Sequence, residues 1–130
     1  MKIKQNKQTR AQHIVDRLAH EFNIATVAVE TNGSLPRSVV GLYHHPTHSG
    51  FKSTNTTRTN FVWFVGRAPK IEIRPRSDLD TILHEFAHHL VAAWGLKQPD
   101  CHGYIFWQVF DEVKTVFRAL PDYVELCDTY

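Results

Sequence analysis

The sequence predicts an α+β fold, one domain in which three main helices pack on a small sheet. Two observations carry this expectation. Apolar residues recur at three- and four-residue steps in three separate stretches, and between the first two lie short segments with β-branched, alternating character. No internal repeat and no linker interrupts residues 1–130, a length sufficient to enclose one hydrophobic core.

The first helix is expected over 9–22, with Ala11, Ile14, Val15, Leu18 and Phe22 on one face and Gln12, Asp16 and Arg17 opposite. Before it, Lys2, Lys4, Lys7 and Arg10 precede any acid, and residues 1–8 read as a flexible basic tail. Thr26, Val27, Val29 and Thr31 mark a strand over 24–31, ended by an Asn32-Gly33 turn. A second strand is expected over 38–44. The polar stretch 46–60 reads as a long loop, 61–65 as a buried strand and 66–70 as a turn. Ile71-Glu72-Ile73-Arg74 alternates apolar and charged residues, as a strand with one wet face does, and Pro75 ends it. Ser77 or Asp78 can cap the second main helix, which runs to Trp94 and stops at Gly95. After a turn at 97–100 the third helix covers 102–119, Pro121 closes it, and a short helix over 122–128 follows.

Lys and Arg exceed Asp and Glu by two, too small a balance to mark a nucleic-acid surface. Cys101 and Cys127 form neither a CxxC pair nor a disulfide framework, which suits a reducing compartment. The N-terminal segment lacks the apolar core of a signal peptide, and no apolar run is long enough to span a bilayer. A cytoplasmic protein without a membrane partner is expected.

Nine histidines are present, and their placement is the informative feature. On the second helix Leu79, Ile82, Leu83, Phe86, Ala87, Leu90, Val91 and Trp94 form an apolar stripe. His84 and His88 flank it, about 40° apart, so both imidazoles can reach one tetrahedral zinc ion at about 2.0–2.1 Å. Glu85 follows the first of them, where a carboxylate can take a proton from a zinc-activated water. This is the His-Glu-x-x-His pattern of metal-assisted hydrolysis, with Glu85 as general base and one Zn2+ per chain. His89 points about 100° away from His88, which suits a solvent-facing role or a supporting one. The extended metzincin pattern fails, because positions 91 and 94 are Val and Trp and no methionine follows Met1. The third ligand is then His102 at the start of the third helix or, as a gluzincin would have it, Glu112 ten residues deeper. Asp111 is a weaker variant of the second solution.

With His102-Gly103-Tyr104-Ile105-Phe106 following His84-Glu85-Phe86-Ala87-His88, residues 38–118 resemble the SprT-like (Spartan-type) zinc metallopeptidase family. Compact zincins of the minigluzincin kind are the next most similar. The SprT resemblance implies a zincin-like fold, zinc on His84, His88 and His102, and Glu85 as base. It also implies a protein or peptide substrate aligned on an edge strand, for which 71–74, with Ile71 and Ile73, is the candidate. Relatives of that family act on proteins attached to DNA. This chain lacks a four-cysteine zinc ribbon, and its basic residues Arg58, Arg67, Lys70, Arg74 and Arg76 are what a nucleic-acid partner would have to use.

Tyr43, His44, His45, His48 and Tyr104 are candidates to stabilise an oxyanion, Tyr43 also to touch substrate. Trp63, Trp94 and Trp107 are expected in the core, and Gly103 is expected to let two helices approach closely. An endopeptidase is the expected function. The alternatives are a non-catalytic zinc clip, which Cys101 could complete, and a DNA-associated module on the same scaffold.

Overall fold

The computed structural model describes residues 6–36, 39–44, 69–96 and 102–130. The loop 46–60, the strand expected at 61–65, the turn at 97–100, and Cys101, His45, His48, Trp63, Arg58 and Arg67 lie outside them. The described chain is α+β, with the order α1 (Lys7–Glu21), β1 (Ala28–Thr31), β2 (Gly41–His44), β3 (Lys70–Ile73), α2 (Leu79–Ala93), α3 (Tyr104–Arg118) and α4 (Tyr123–Thr129). None of these helices is long and apolar enough to cross a membrane.

Local chemistry sets the helix ends. Asn6 caps α1, accepting from Thr9 N–H at 2.8 Å, so the helix starts two residues earlier than its apolar stripe indicates. Residues 6–8, expected in a flexible tail, are therefore part of the fold, and the Lys7 ammonium reaches the Ser77 carbonyl at 3.0 Å. Asp78 rather than Ser77 caps α2, accepting from Thr81 N–H at 3.0 Å. The C-termini of α1 and α2 close alike. Ile24 N–H reaches Ala19 O and Asn23 N–H reaches His20 O; Leu96 N–H reaches Val91 O and Gly95 N–H reaches Ala92 O. Each closure needs a left-handed residue, Asn23 at φ 54° and Gly95 at φ 66°.

The sheet order is β1-β3-β2, with β3 parallel to β1 and antiparallel to β2. This corrects the expectation that 71–74 is a free edge. Ile71 and Ile73 are both 0% exposed, paired on either side and packed under the helices, so neither can touch a substrate. Among the described strands the outer one beside α2 is β2. Register places Val29, Thr31, Gly41, Tyr43, Ile71 and Ile73 on the helix-covered face, and Glu30, Leu42, His44, Lys70 and Glu72 on the other. The second face carries a polar cluster: Glu72 accepts from Lys70 and Asn32 and pairs with His44, each at 3.0 Å.

Under the first face the core joins Ile14, Val15 and Leu18 of α1 to Ile82, Phe86 and Leu90 of α2. Phe106, Val109, Phe110, Val113 and Phe117 of α3 complete it. The last five recur at helical spacing, which is why α3 lies along α2. Trp94 and Trp107 depart from expectation: they are 41% and 49% exposed. Trp94 sits at the end of α2 and meets Phe22 edge-on, while Trp107 lies outside the buried stripe of α3, beside the histidines.

Candidate metal centre

Two elements supply the site. His84 and His88 stand one turn apart on α2, and His102 occupies the turn before Gly103, the N-cap of α3. His102 is thus one step outside the helix it was expected to open, and Gly103 serves as its N-cap, with its carbonyl accepting from Trp107 N–H at 3.2 Å. Nε2 of His102 lies 3.1 Å from Nε2 of His84 and 3.1 Å from Nε2 of His88. Among the described residues this is the one group of three with metal-ligating atoms so close together. Glu112 and Asp111 do not join it; both are exposed on α3, and Asp111 lies 3.5 Å from the Lys114 ammonium.

A tetrahedral zinc held at about 2.0–2.1 Å requires ligand nitrogens about 3.3–3.4 Å apart, close to the two separations found. Hydrogen bonding does not account for the convergence. An imidazole nitrogen either donates one proton or accepts at one lone pair, yet His102 Nε2 faces two other nitrogens. Three lone pairs converging on one point suit a cation. Electrostatics agree: burial, with the neighbouring His102, lowers His84 to about 4, and burial, with the neighbouring histidines, lowers His88 to about 3. Both rings are therefore neutral near pH 7, the form that ligates.

Phe106 forms the floor. It is fully buried, its ring stacks on His88 at 4.3 Å between centroids, and it lies 4.8 Å from the ring of His84. The residue that ends the His102-Gly103-Tyr104-Ile105-Phe106 segment thus holds both histidines of α2 against rotation.

Glu85 is 6% exposed and has no hydrogen-bond partner among the described residues. Burial raises its carboxyl to about 8. It lines a cleft of about 420 Å³ together with His84, and the walls are 39–42 on one side and Asp78, Asp80 and Thr81 on the other. Gly41 makes this close approach possible: a Cβ there would stand 2.8 Å from Thr81 Cγ2 and 3.0 Å from Glu85 Cγ. Sequence reading passed over Gly41, since nothing local marks a strand glycine as facing a helix.

His89 is not solvent-facing. It is 4% exposed, with Nε2 at 2.8 Å from Ala25 O and Nδ1 at 3.1 Å from the Tyr43 hydroxyl. A carbonyl only accepts, so the neutral ring carries its proton on Nε2, and Nδ1 accepts the Tyr43 proton. Burial lowers the His89 pKa, favouring that neutral form. Tyr43 is thereby fixed beside the ligands, its ring nearly parallel to His88 at 6.4 Å, with its hydroxyl proton committed to His89. Of the other oxyanion candidates, His44 faces the opposite side of the sheet toward Glu72. Tyr104 is exposed, and its hydroxyl accepts from Gln108 at 2.7 Å. Two of the basic residues considered for nucleic acid are engaged internally. Lys70 pairs with Glu72 and Glu30, and the Arg74 guanidinium donates to the carbonyls of Leu35, Pro36 and Val39.

Compared with known proteins, the chain matches no family model, no curated protein and no solved structure.

Proposed function

We propose that this chain is a zinc-dependent peptidase, with zinc held by His84, His88 and His102 and Glu85 as general base, built on a zincin-like scaffold of the SprT type. The observation that carries the reading is the convergence of three ring nitrogens, with His102 Nε2 at 3.1 Å from each of the other two, beside a buried carboxyl that has no hydrogen-bond partner among the described residues. Zinc supplies Lewis acidity there, acidifying water and polarising a carbonyl. The rest belongs to the protein. The neutral rings of His84 and His88 present lone pairs, and Phe106 fixes their planes. Glu85, in a site that disfavours its charge, takes a proton from water and returns it to the leaving amine. β2, the outer of the described strands, replaces 71–74 as the place where an extended peptide would lie, next to Glu85.

The non-catalytic zinc clip has less support, since a purely structural site gives no reason for a buried carboxylate beside the ligands. The DNA-associated module loses Lys70 and Arg74, which are bonded within the fold.

Elemental analysis of the purified protein is expected to find about one zinc per chain. Removing a ligand with His102→Ala should weaken retention by at least about 100-fold, while Glu112→Ala should leave it unchanged. Glu85→Gln should keep the metal and slow cleavage of a denatured protein by roughly 10²–10⁴-fold. Absence of zinc after reconstitution, or full activity of Glu85→Gln, overturns the reading.

A further inference from the structure

The cleft beside Glu85 has a chemistry of its own. On the β2 side Val39 and Val40 give it an apolar wall; on the α2 side Asp78 and Asp80 stand at its rim, and no Lys or Arg is among its described lining residues. Asp78 keeps its charge, because hydrogen bonds from Thr81 hold its carboxyl below the usual range. Lys7, the cation that acts on Asp78, is drawn to Ser77 O and lies over the Tyr130 ring, outside the lining. The Glu85 carboxyl, buried and without a hydrogen-bond partner among the described residues, also lines this space. An apolar wall leading to an acidic rim fits a long aliphatic stem ending in a cation. About 420 Å³ accommodates such a side chain with water to spare.

We propose that this cleft is a specificity pocket for a lysine or arginine side chain of an extended peptide lying along β2, its stem against Val39 and Val40 and its charged head between Asp78 and Asp80. The proposal rests on the peptidase reading for the path of the peptide and adds to it the class of substrate. Glu85 is the inner end of the pocket, so a side chain seated there places the neighbouring backbone beside the carboxylate and the histidines. Asp78 and Asp80 are specificity-determining residues with no part in proton transfer.

The test measures binding as well as turnover. Zinc-loaded full-length protein carrying Glu85→Gln is titrated into fluorescent peptides identical except at one position, which is lysine, norleucine or glutamate. Norleucine keeps the stem and removes the charge. The lysine peptide is expected to bind about tenfold tighter than the norleucine peptide, and the glutamate peptide weakest, with the preference shrinking as salt is added. Asp78→Asn combined with Asp80→Asn should abolish the preference while leaving the norleucine affinity unchanged. Asn is as good an N-cap as Asp, so α2 is retained, and circular dichroism checks this. Equal binding of lysine and norleucine peptides, no binding of any peptide, or a preference that survives the double substitution overturns the proposal. A lysine preference in protein whose Glu85-intact form cleaves nothing would leave the pocket standing and sink the peptidase reading; cleavage without the preference would do the reverse.

Discussion

At the scale of single residues, Gly41 and Glu85 depend on each other. The glycine has no unusual backbone angle, and what it supplies is missing volume. A methyl at 2.8 Å from Thr81 Cγ2 and 3.0 Å from Glu85 Cγ lies inside van der Waals contact, so β2 and α2 must part or Glu85 must turn. Gly41→Ala is expected to cost about 1–3 kcal/mol of stability by overpacking. It should impair turnover far more than metal retention, since His84, His88 and His102 do not touch β2 through Gly41. Denaturant unfolding alongside a zinc competition titration separates the two effects. A variant as active and as stable as wild type would show that the strand yields freely and that Glu85 needs no such seat. His89 has a comparable role behind the ligands. A helical-wheel angle places it off the zinc face, and from the sequence that direction reads either as water or as support behind the ligands. In the fold α2 is covered by the sheet as well as by α3, so the same direction is core.

At the scale of elements, the two helix closures invite a comparison. Both α1 and α2 end in a left-handed residue with the same pair of hydrogen bonds, but one uses Asn23 and the other Gly95. A Cβ is penalised in that conformation by roughly 1–2 kcal/mol, and Asn tolerates it better than most residues. Gly95→Ala is expected to lower stability by about 1 kcal/mol, and Asn23→Gly to be neutral or stabilising by a few tenths; urea midpoints at constant m measure both. A Gly95→Ala protein of unchanged midpoint would mean that α2 can end without this closure. These ends also show what was legible. Asp78, Gly95 and the His84/His88 spacing are local signals, and local signals place α2 within a residue. Asn23 carries a weaker version of the signal that glycine carries, and went unread. The central position of β3 is different in kind: alternation in Ile71-Glu72-Ile73 states which residues share a face, but not how many neighbours the strand has. Strand order depends on pairings between distant segments, which no local pattern encodes. Trp94 and Trp107 fail for a related reason, since periodicity finds the stripe but not how far the neighbouring element covers it.

At the scale of the whole molecule, the site burdens the fold with buried titratable groups, and their signs make pH dependence a test of the arrangement. His84, His88, His44 and His89 are all lowered, burial being the main cause in each. In the unfolded chain these rings bind protons near pH 6.5, while in the folded one they stay neutral to lower pH. The unfolded state therefore holds more protons below pH 6.5, and stability falls as pH falls. Glu85 acts in the opposite direction. Its carboxyl, raised to about 8, keeps a proton in the folded state that the unfolded state releases near pH 4.5, so its contribution is present at acid pH and lost as pH rises through 8. Between pH 4.5 and 6.5 four imidazoles oppose one carboxyl, and the metal-free protein should lose thermal stability steadily on acidification over that window. Zinc adds a second dependence of the same sign, because it binds only the folded state and only neutral rings. The gap in Tm between zinc-loaded and chelator-treated protein should be widest at pH 7 and above and should close toward pH 4–5. Thermal unfolding from pH 4.5 to 8, with and without chelator, reads both. A metal-free Tm that stays flat below pH 6.5 would mean that the histidines are not buried as neutral rings. A gap that persists to pH 4 would mean that ligands other than imidazole hold the metal.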